Sequence, residues 1–249
     1  MRIALFADVH ANRPALDAVL RDIAARQVDR LVCLGDLVGY HAEPAECIAR
    51  IRALEAIVVQ GNHDRDVASA SHSPGTHRVA EIVQEWTRSQ LDDAELEYLR
   101  TLPVLVVEPG AFVVAHGSYL STIYVTGYVT STMLGANLRA LAARDGWPVL
   151  AFCGHTHLPM CGWLVDDQCF EFDLTAPVNW HPRAVSVLVN PGSVGQPRDG
   201  DWRASYALVD TDERRIEGVR VEYDVDQAVA SLARAGLPES LGARLRQGR

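Results

Sequence analysis

The feature that most constrains this chain is a recurrence: five times, a short apolar run that reads as a buried strand ends in a polar motif of Asp, His or Asn. The motifs are Asp8-Val9-His10, Gly35-Asp36, Gly61-Asn62-His63-Asp64, His116-Gly117 and Gly154-His155-Thr156-His157. In open α/β sheets ligands bind at the carboxyl ends of strands, so motifs far apart in sequence can converge on one site. Residues two apart in extended chain share a face, which lets Asp8 with His10, and His155 with His157, each grip one centre. A single motif of this kind is ordinarily a hydrogen-bonded structural residue. Five in order imply a common site, because buried carboxylates and imidazoles need compensation and divalent cations supply it. The donors are oxygen and imidazole without thiolate, a set suited to Mn, Fe or Zn in a catalytic centre.

The rest of the chain reads as layered sheet and helix, an α/β pattern. Residues 2–7 form a strand, and Pro14 opens a helix carrying Leu16, Val19, Leu20 and Ile23 at helical spacing. A strand at 31–34, a helix near 45–53 and a strand at 56–59 follow. Residues 76–102 read as two helices, with Asp92 and Glu95 as a capping box and Pro103 closing the segment. Residues 104–107 and 112–115 flank Pro109-Gly110 as a hairpin, and strands recur at 149–153, 186–189, 205–209 and 218–223. The tail is an amphipathic helix with Val225, Val229 and Leu232, broken at Gly236-Leu237-Pro238 and frayed beyond. No repeat or linker divides the chain, so residues 1–249 read as one domain. Residues 118–132, rich in Tyr, Thr, Val and Ser, fit neither period. They serve as a loop over the site that selects substrate, as a self-association surface of a homo-oligomer, or as a plain connection.

Composition removes several function classes. A net charge of -9 argues against nucleic acid as a partner, which needs a broad basic surface. The chain has no lysine, which excludes Schiff-base chemistry and the phosphate loop ending in Gly-Lys-Ser/Thr. No run approaches the roughly 20 apolar residues that span a bilayer, and the first apolar run is too short for a signal peptide, so the expectation is a cytoplasmic protein without a membrane partner. Cys33, Cys47, Cys153, Cys161 and Cys169 are odd in number and lack a Cys-x-x-Cys pair, which points to free thiols.

In order and spacing, the five motifs resemble the motif series of the calcineurin-like metallophosphoesterases, from residue 3 to about residue 198. The resemblance implies a four-layer αββα sandwich, two mixed sheets flanked by helices, with a dinuclear metal site at strand C-terminal ends. It implies one metal on Asp8, His10, Asp36 and His157 and a second on Asp36, Asn62, His116 and His155, with Asp36 bridging. Two divalent or trivalent ions of Mn, Fe or Zn would present a bridging hydroxide to a small phosphate diester, monoester or nucleotide polyphosphate. His63 is the candidate catalytic residue, hydrogen-bonding the phosphoryl oxygen or protonating the leaving group; its alternative is a purely supporting histidine.

The chain departs from the phosphatase branch at Gly39, where Gly-Asp-x-x-Asp places an acid that orients the catalytic histidine; Asp64 is the substitute the sequence offers. Asn190-Pro-Gly-Ser-Val-Gly-Gln-Pro-Arg198 resembles the loop of bacterial small phosphodiesterases and diadenosine-tetraphosphatase-like enzymes. Arg198 is either a contact to substrate phosphate or a turn-stabilising surface residue. Asn12, beside the first metal pair, is a support behind the ligands, a phosphate contact or the cap of the first helix. His41 reads as a solvent histidine, and His72, His77 and His181 as surface residues. Two alternatives stand beside the hydrolase. A protein phosphatase would want the missing acid, and an inactive metal-binding scaffold for partner recognition would show lost ligands, whereas all are present.

Overall fold

The structure, a computed structural model, describes residues 1–71, 77–120 and 124–249. Along the chain run β1 (Arg2–Phe6), α1 (Arg13–Ala24), β2 (Arg30–Cys33), α2 (Pro44–Arg52), β3 (Ala56–Val58), α3 (Asn62–Ser69), α4 (Arg78–Ser89) and α5 (Asp93–Thr101). Then come β4 (Leu105–Glu108), β5 (Phe112–Ala115), α6 (Ser131–Ala142), β6 (Leu150–Phe152), β7 (Pro159–Val165), β8 (Gln168–Asp173) and β9 (Val178–Asn179). β10 (Ser186–Pro191), β11 (Ala204–Asp210), β12 (Arg215–Val221), α7 (Val225–Arg234) and α8 (Glu239–Gln247) complete the series.

The strands form two mixed sheets in the orders β3-β2-β1-β11-β12-β9 and β4-β5-β6-β10-β7-β8. Strand alternation explains why both are buried on two faces. Ile3 and Leu5 of β1 join Phe112 and Val114 of β5 in the apolar layer between the sheets. Ala4 and Phe6 point the other way, under Leu16 and Val19 of α1, Ile48 of α2 and Leu232 of α7. Val113 and Ala115 pack outward against Leu134, Leu138 and Leu141 of α6. The result is helix, sheet, sheet, helix, the expected αββα sandwich. β1, β2 and β3 are parallel, as are β5, β6 and β10, so the chain leaves β1, β2, β3, β5 and β6 in the direction that delivers all five polar motifs to one edge.

One expectation needs correction, and two features have no counterpart in the sequence reading. The tail does not fray after Pro238: α8 forms, with Leu241 and Leu245 buried against the helical layer. α6 and the β7–β8 hairpin had no assigned structure. β7 hides its period because six of its seven residues are buried, on both faces, and it carries Gly162, where a Cβ would lie 2.5 Å from the Phe170 carbonyl oxygen. The α4–α5 pair forms, and Asp92 and Glu95 exchange both capping-box hydrogen bonds, at 2.8 and 2.9 Å; the expected start at Thr76 lies outside the described residues. All five cysteines are free. Among the described residues no helix is long and apolar enough to cross a membrane.

Candidate metal centre

Each motif follows a strand and turns sharply. Asp8, His10, Asp36, His155 and His157 have left-handed φ values of 54, 49, 54, 69 and 62°. Such backbone costs roughly 1–3 kcal/mol per non-glycine residue and persists where surrounding structure enforces it. The enforcement here is a mesh between motifs: the amides of Asp8 and His10 donate to the carbonyls of Gly35 and Asp36, and Gly154 donates to His116. The 190–198 loop, whose structural role the sequence did not disclose, completes the mesh. Asn190 Nδ2 donates to the Gly154 carbonyl and Thr156 Oγ1, and the Ser193 hydroxyl and Gly195 amide donate to the Asp8 carbonyl.

The side chains of six of the seven expected ligands form two buried groups, Asp8 with His10 and His157, and Asp36 with His116 and His155; a third group joins His63 to His10 and Asp36. Asp36 divides its carboxylate. Oδ1 accepts from the His63 amide at 2.8 Å, at the start of α3, and Oδ2 lies 3.3 Å from His116 Nε2 and 3.7 Å from His10 Nε2. Gly61 makes room for this, since a Cβ there would sit 2.1 Å from Oδ1. Asp8 Oδ1 reaches to 3.5 Å from His157 Nε2 and 3.9 Å from both His10 and His116.

The histidine tautomers follow from their partners. Nδ1 of His10, His116 and His157 faces the carbonyl of Val38, Leu34 and Gln196, at 3.1, 2.6 and 2.6 Å. A carbonyl only accepts, so each Nδ1 carries a hydrogen and each Nε2 points its remaining position into the basin, the arrangement by which proteins preset metal ligands. His10 and His157 thus bring two unprotonated nitrogens within 3.1 Å of one another, a repulsive contact that a cation between them would relieve. His155 presents Nδ1 instead, 3.2 Å from His116 Nε2. Asn62 is buried and its Oδ1 has no partner among the described residues, which fits an acceptor that would ligate a cation.

Electrostatics agree with that fit. Burial pushes the Asp8 carboxyl up to about 7. Burial also holds His10 and His157 well below the usual imidazole value and takes His155 to about 3. At Asp36 burial is outweighed by His116, His63 and His10, which hold the carboxyl well below its usual range; at His116 burial is outweighed by Asp36, which lifts the imidazole to about 9. The uncharged imidazoles of His10, His155 and His157 beside crowded buried acids suit a hard or borderline cation, and His116 would give up its extra proton on binding one.

Asp64 is not the acid that orients His63. Asp64 does not reach the imidazole: its carboxylate accepts from the amides of Leu37, Val38 and Gly61, at 2.8, 3.3 and 3.0 Å. Gly39, at φ +89°, presses its bare Cα side against the ring, and a Cβ there would lie 2.6 Å from His63 Nδ1. That nitrogen instead meets Gln84 Nε2 of α4 at 3.3 Å, while Tyr40 packs on the ring with centroids 4.6 Å apart. Gln84, far from any motif, gave no sequence signal.

Asn12 caps α1 and also braces the 190–198 loop behind the ligands. Oδ1 accepts from the Ala15 amide, and Nδ2 donates to the Gly195 carbonyl and Tyr223 hydroxyl. Arg198 is half-buried rather than a free surface residue, with terminal nitrogens near Gln196 Oε1 at 3.0 Å and the Tyr40 hydroxyl at 3.5 Å. His41 is not a solvent histidine: it is 2% exposed, Nδ1 donates to the His10 carbonyl at 2.7 Å, and burial pushes its pKa down to about 4. His77 and His181 are exposed, and His72 lies outside the described residues. Within the 118–132 segment, of which residues 121–123 are outside the described part, Tyr128 stacks on the His155 ring at 4.1 Å.

The calcineurin-like phosphoesterase superfamily domain matches residues 1–214. The chain is 35% identical to the uncharacterized protein MJ0912 of Methanocaldococcus jannaschii, over 99% of this chain and 98% of that protein. The crystal structure of a metallophosphoesterase from Sphaerobacter thermophilus superposes with a TM-score of 0.84 at 37% identity, covering 100% of this chain and 99% of the other. The hypothetical protein PH1004 from Pyrococcus horikoshii OT3 shares the fold at a TM-score of 0.79 and 21% identity, over 100% and 98% of the two chains. Matched along most of its length by one family and carrying the buried Asp and His clusters of a metal site, the chain belongs to the calcineurin-like phosphoesterases and is a metal-dependent hydrolase of phosphoesters.

Proposed function

We propose that the substrate is a small phosphate diester, monoester or nucleotide polyphosphate, cleaved at a dinuclear centre. Asp8, His10, Asp36 and His157 hold one ion, and Asp36, Asn62, His116 and His155 the other. The observation that carries this reading is the divided Asp36 carboxylate between two buried ligand groups. Manganese, iron or zinc suits the oxygen and imidazole donors. When bound, the two ions supply a water of lowered pKa and neutralise charge that builds on the phosphoryl oxygens.

The chain's own groups do the rest. The His63 amide fixes Asp36 Oδ1, which keeps Oδ2 turned inward. Gln84 Nε2 donates to His63 Nδ1, which places the ring hydrogen on Nε2, and burial lowers the pKa so that the ring is neutral. His63 then serves as a hydrogen-bond donor to the phosphoryl or leaving oxygen. Arg198 offers a guanidinium to the substrate phosphate.

The test is hydrolysis of bis(p-nitrophenyl) phosphate, p-nitrophenyl phosphate, a dinucleoside polyphosphate and a phosphopeptide by metal-loaded protein. Turnover of at least one of the small esters is expected, with kcat about a hundredfold or more lower in His63→Ala, the loss typical of a removed proton donor. No product from any small ester contradicts the reading, and turnover confined to the phosphopeptide replaces it with a protein phosphatase.

A further inference from the structure

Many arginines of this acidic chain are answered by a carboxylate, as Arg203 is by Asp201, Arg220 by Asp199 and Arg246 by Asp226. Arg198 and Arg244 are different. Both are half-buried, and neither is paired with an Asp or Glu side chain among the described residues. Among the described residues their hydrogen bonds run to the Gln196 side-chain oxygen, the Tyr40 hydroxyl and the main-chain oxygen of Arg249. Yet they are neighbours: their guanidinium carbons lie 5.8 and 5.9 Å from the centroid of the same Tyr40 ring.

That ring is in turn 4.7 Å from the His10 ring and 4.6 Å from His63, so the two cations stand one aromatic layer from the metal centre. Two buried donors here, Arg198 Nε and Gln196 Nε2, lack an acceptor among the described residues. Gln196 is fully buried and its carbonyl holds His157, which ties this ledge rigidly to the ligands. Neighbouring like charges without a carboxylate side chain between them, and orphaned donors, are unfavourable in a folded chain unless an anion satisfies them. One guanidinium suffices for the transferred phosphoryl group; the second calls for more negative charge on the substrate.

We infer that Arg198, Arg244 and the Gln196 amide form an anion subsite beside the metal centre that takes a second phosphoryl group of the substrate, as a phosphoanhydride chain provides. The inference rests on the phosphoesterase reading above and narrows its substrate class towards nucleotide polyphosphates. Arg244 lies on α8, beyond the last of the motifs, and packs on Tyr40, so the C-terminal helices contribute to the choice of substrate.

Calorimetric titration of AMP and ADP into the manganese-loaded protein, at one free metal concentration, tests this without requiring turnover. ADP is expected to bind about tenfold or more tightly than AMP, the worth of one charge-assisted contact. In Arg244→Gln the ADP advantage falls to near unity, and Arg244→Lys, which keeps the charge and the stem against Tyr40 but loses the fork, restores part of it. Melting curves of the variants confirm that they fold. An equal affinity for AMP and ADP in the parent protein overturns the subsite, as does an undiminished ADP advantage in Arg244→Gln; a merely structural Arg244 would weaken both nucleotides alike. Failure of the ester assays alone counts against the proposed function and leaves this comparison readable.

Discussion

Replacing Asp36 with asparagine is expected to lower kcat on any accepted ester at least about a thousandfold, at or beyond the upper end of the loss of one transition-state donor. The substitution is nearly isosteric, and an amide oxygen at the Oδ1 position still accepts from the His63 amide, so the turn that follows β2 keeps its shape. What changes is the atom at Oδ2, which faces His116 at 3.3 Å and His10 at 3.7 Å and belongs to both halves of the basin. An amide nitrogen there presents hydrogens where the proposed cation would sit. Initial rates and metal content, measured on the same preparation, check the prediction. A variant that retains more than a tenth of the parent rate would remove Asp36 from the bridging position.

The second large effect concerns Gly39, the position at which this chain departs from the phosphatase pattern. Gly39→Asp is expected to impair the enzyme rather than supply a missing dyad. A Cβ at this position would lie 2.6 Å from His63 Nδ1, and the φ of +89° is one that only glycine adopts without strain. The ring must move, Gln84 loses its partner, and a carboxylate enters a buried space already crowded by Asp36 and Asp64. Strain and desolvation together amount to several kcal/mol, which corresponds to a melting temperature lower by about 5 to 10 °C for a domain of this size. The rate falls about as far as in His63→Ala. Thermal melting and kcat on a small diester check both parts. A Gly39→Asp protein as stable and as active as the parent would show that the slot accepts the acid after all.

How much of this was legible in the sequence depends on how local each signal is. The five motifs could be read because each couples an apolar run to an abrupt set of metal-type side chains, and the parallel strands then bring them to one edge. The hairpin at Pro109-Gly110 and the capping box at Asp92 were visible because turn and cap chemistry is set by residues adjacent in sequence. β7 is hidden because burial on both faces erases alternation, and α6 because it begins inside the irregular 118–132 segment without a side-chain cap, although Leu134, Leu138 and Leu141 carry helical spacing. His41 and Gln84 illustrate the deeper limit. Each acts through a contact across more than 20 residues, His41 to the His10 carbonyl and Gln84 to the His63 ring. No local pattern marks such a residue, and only the packing of α4, and of the turn after β2, against the basin reveals it.

The central claim is that these side chains form one site for two ions, and metal content tests it most directly. The protein, stripped by chelation and reconstituted with Mn²⁺, is analysed by elemental methods alongside Asn62→Ala. About two ions per chain are expected for the parent, as a two-metal hydrolase requires, and about one for the variant, whose lost Oδ1 is the buried acceptor without a partner. A parent protein that binds no ion, or an Asn62→Ala protein that keeps both at undiminished affinity, would contradict the account.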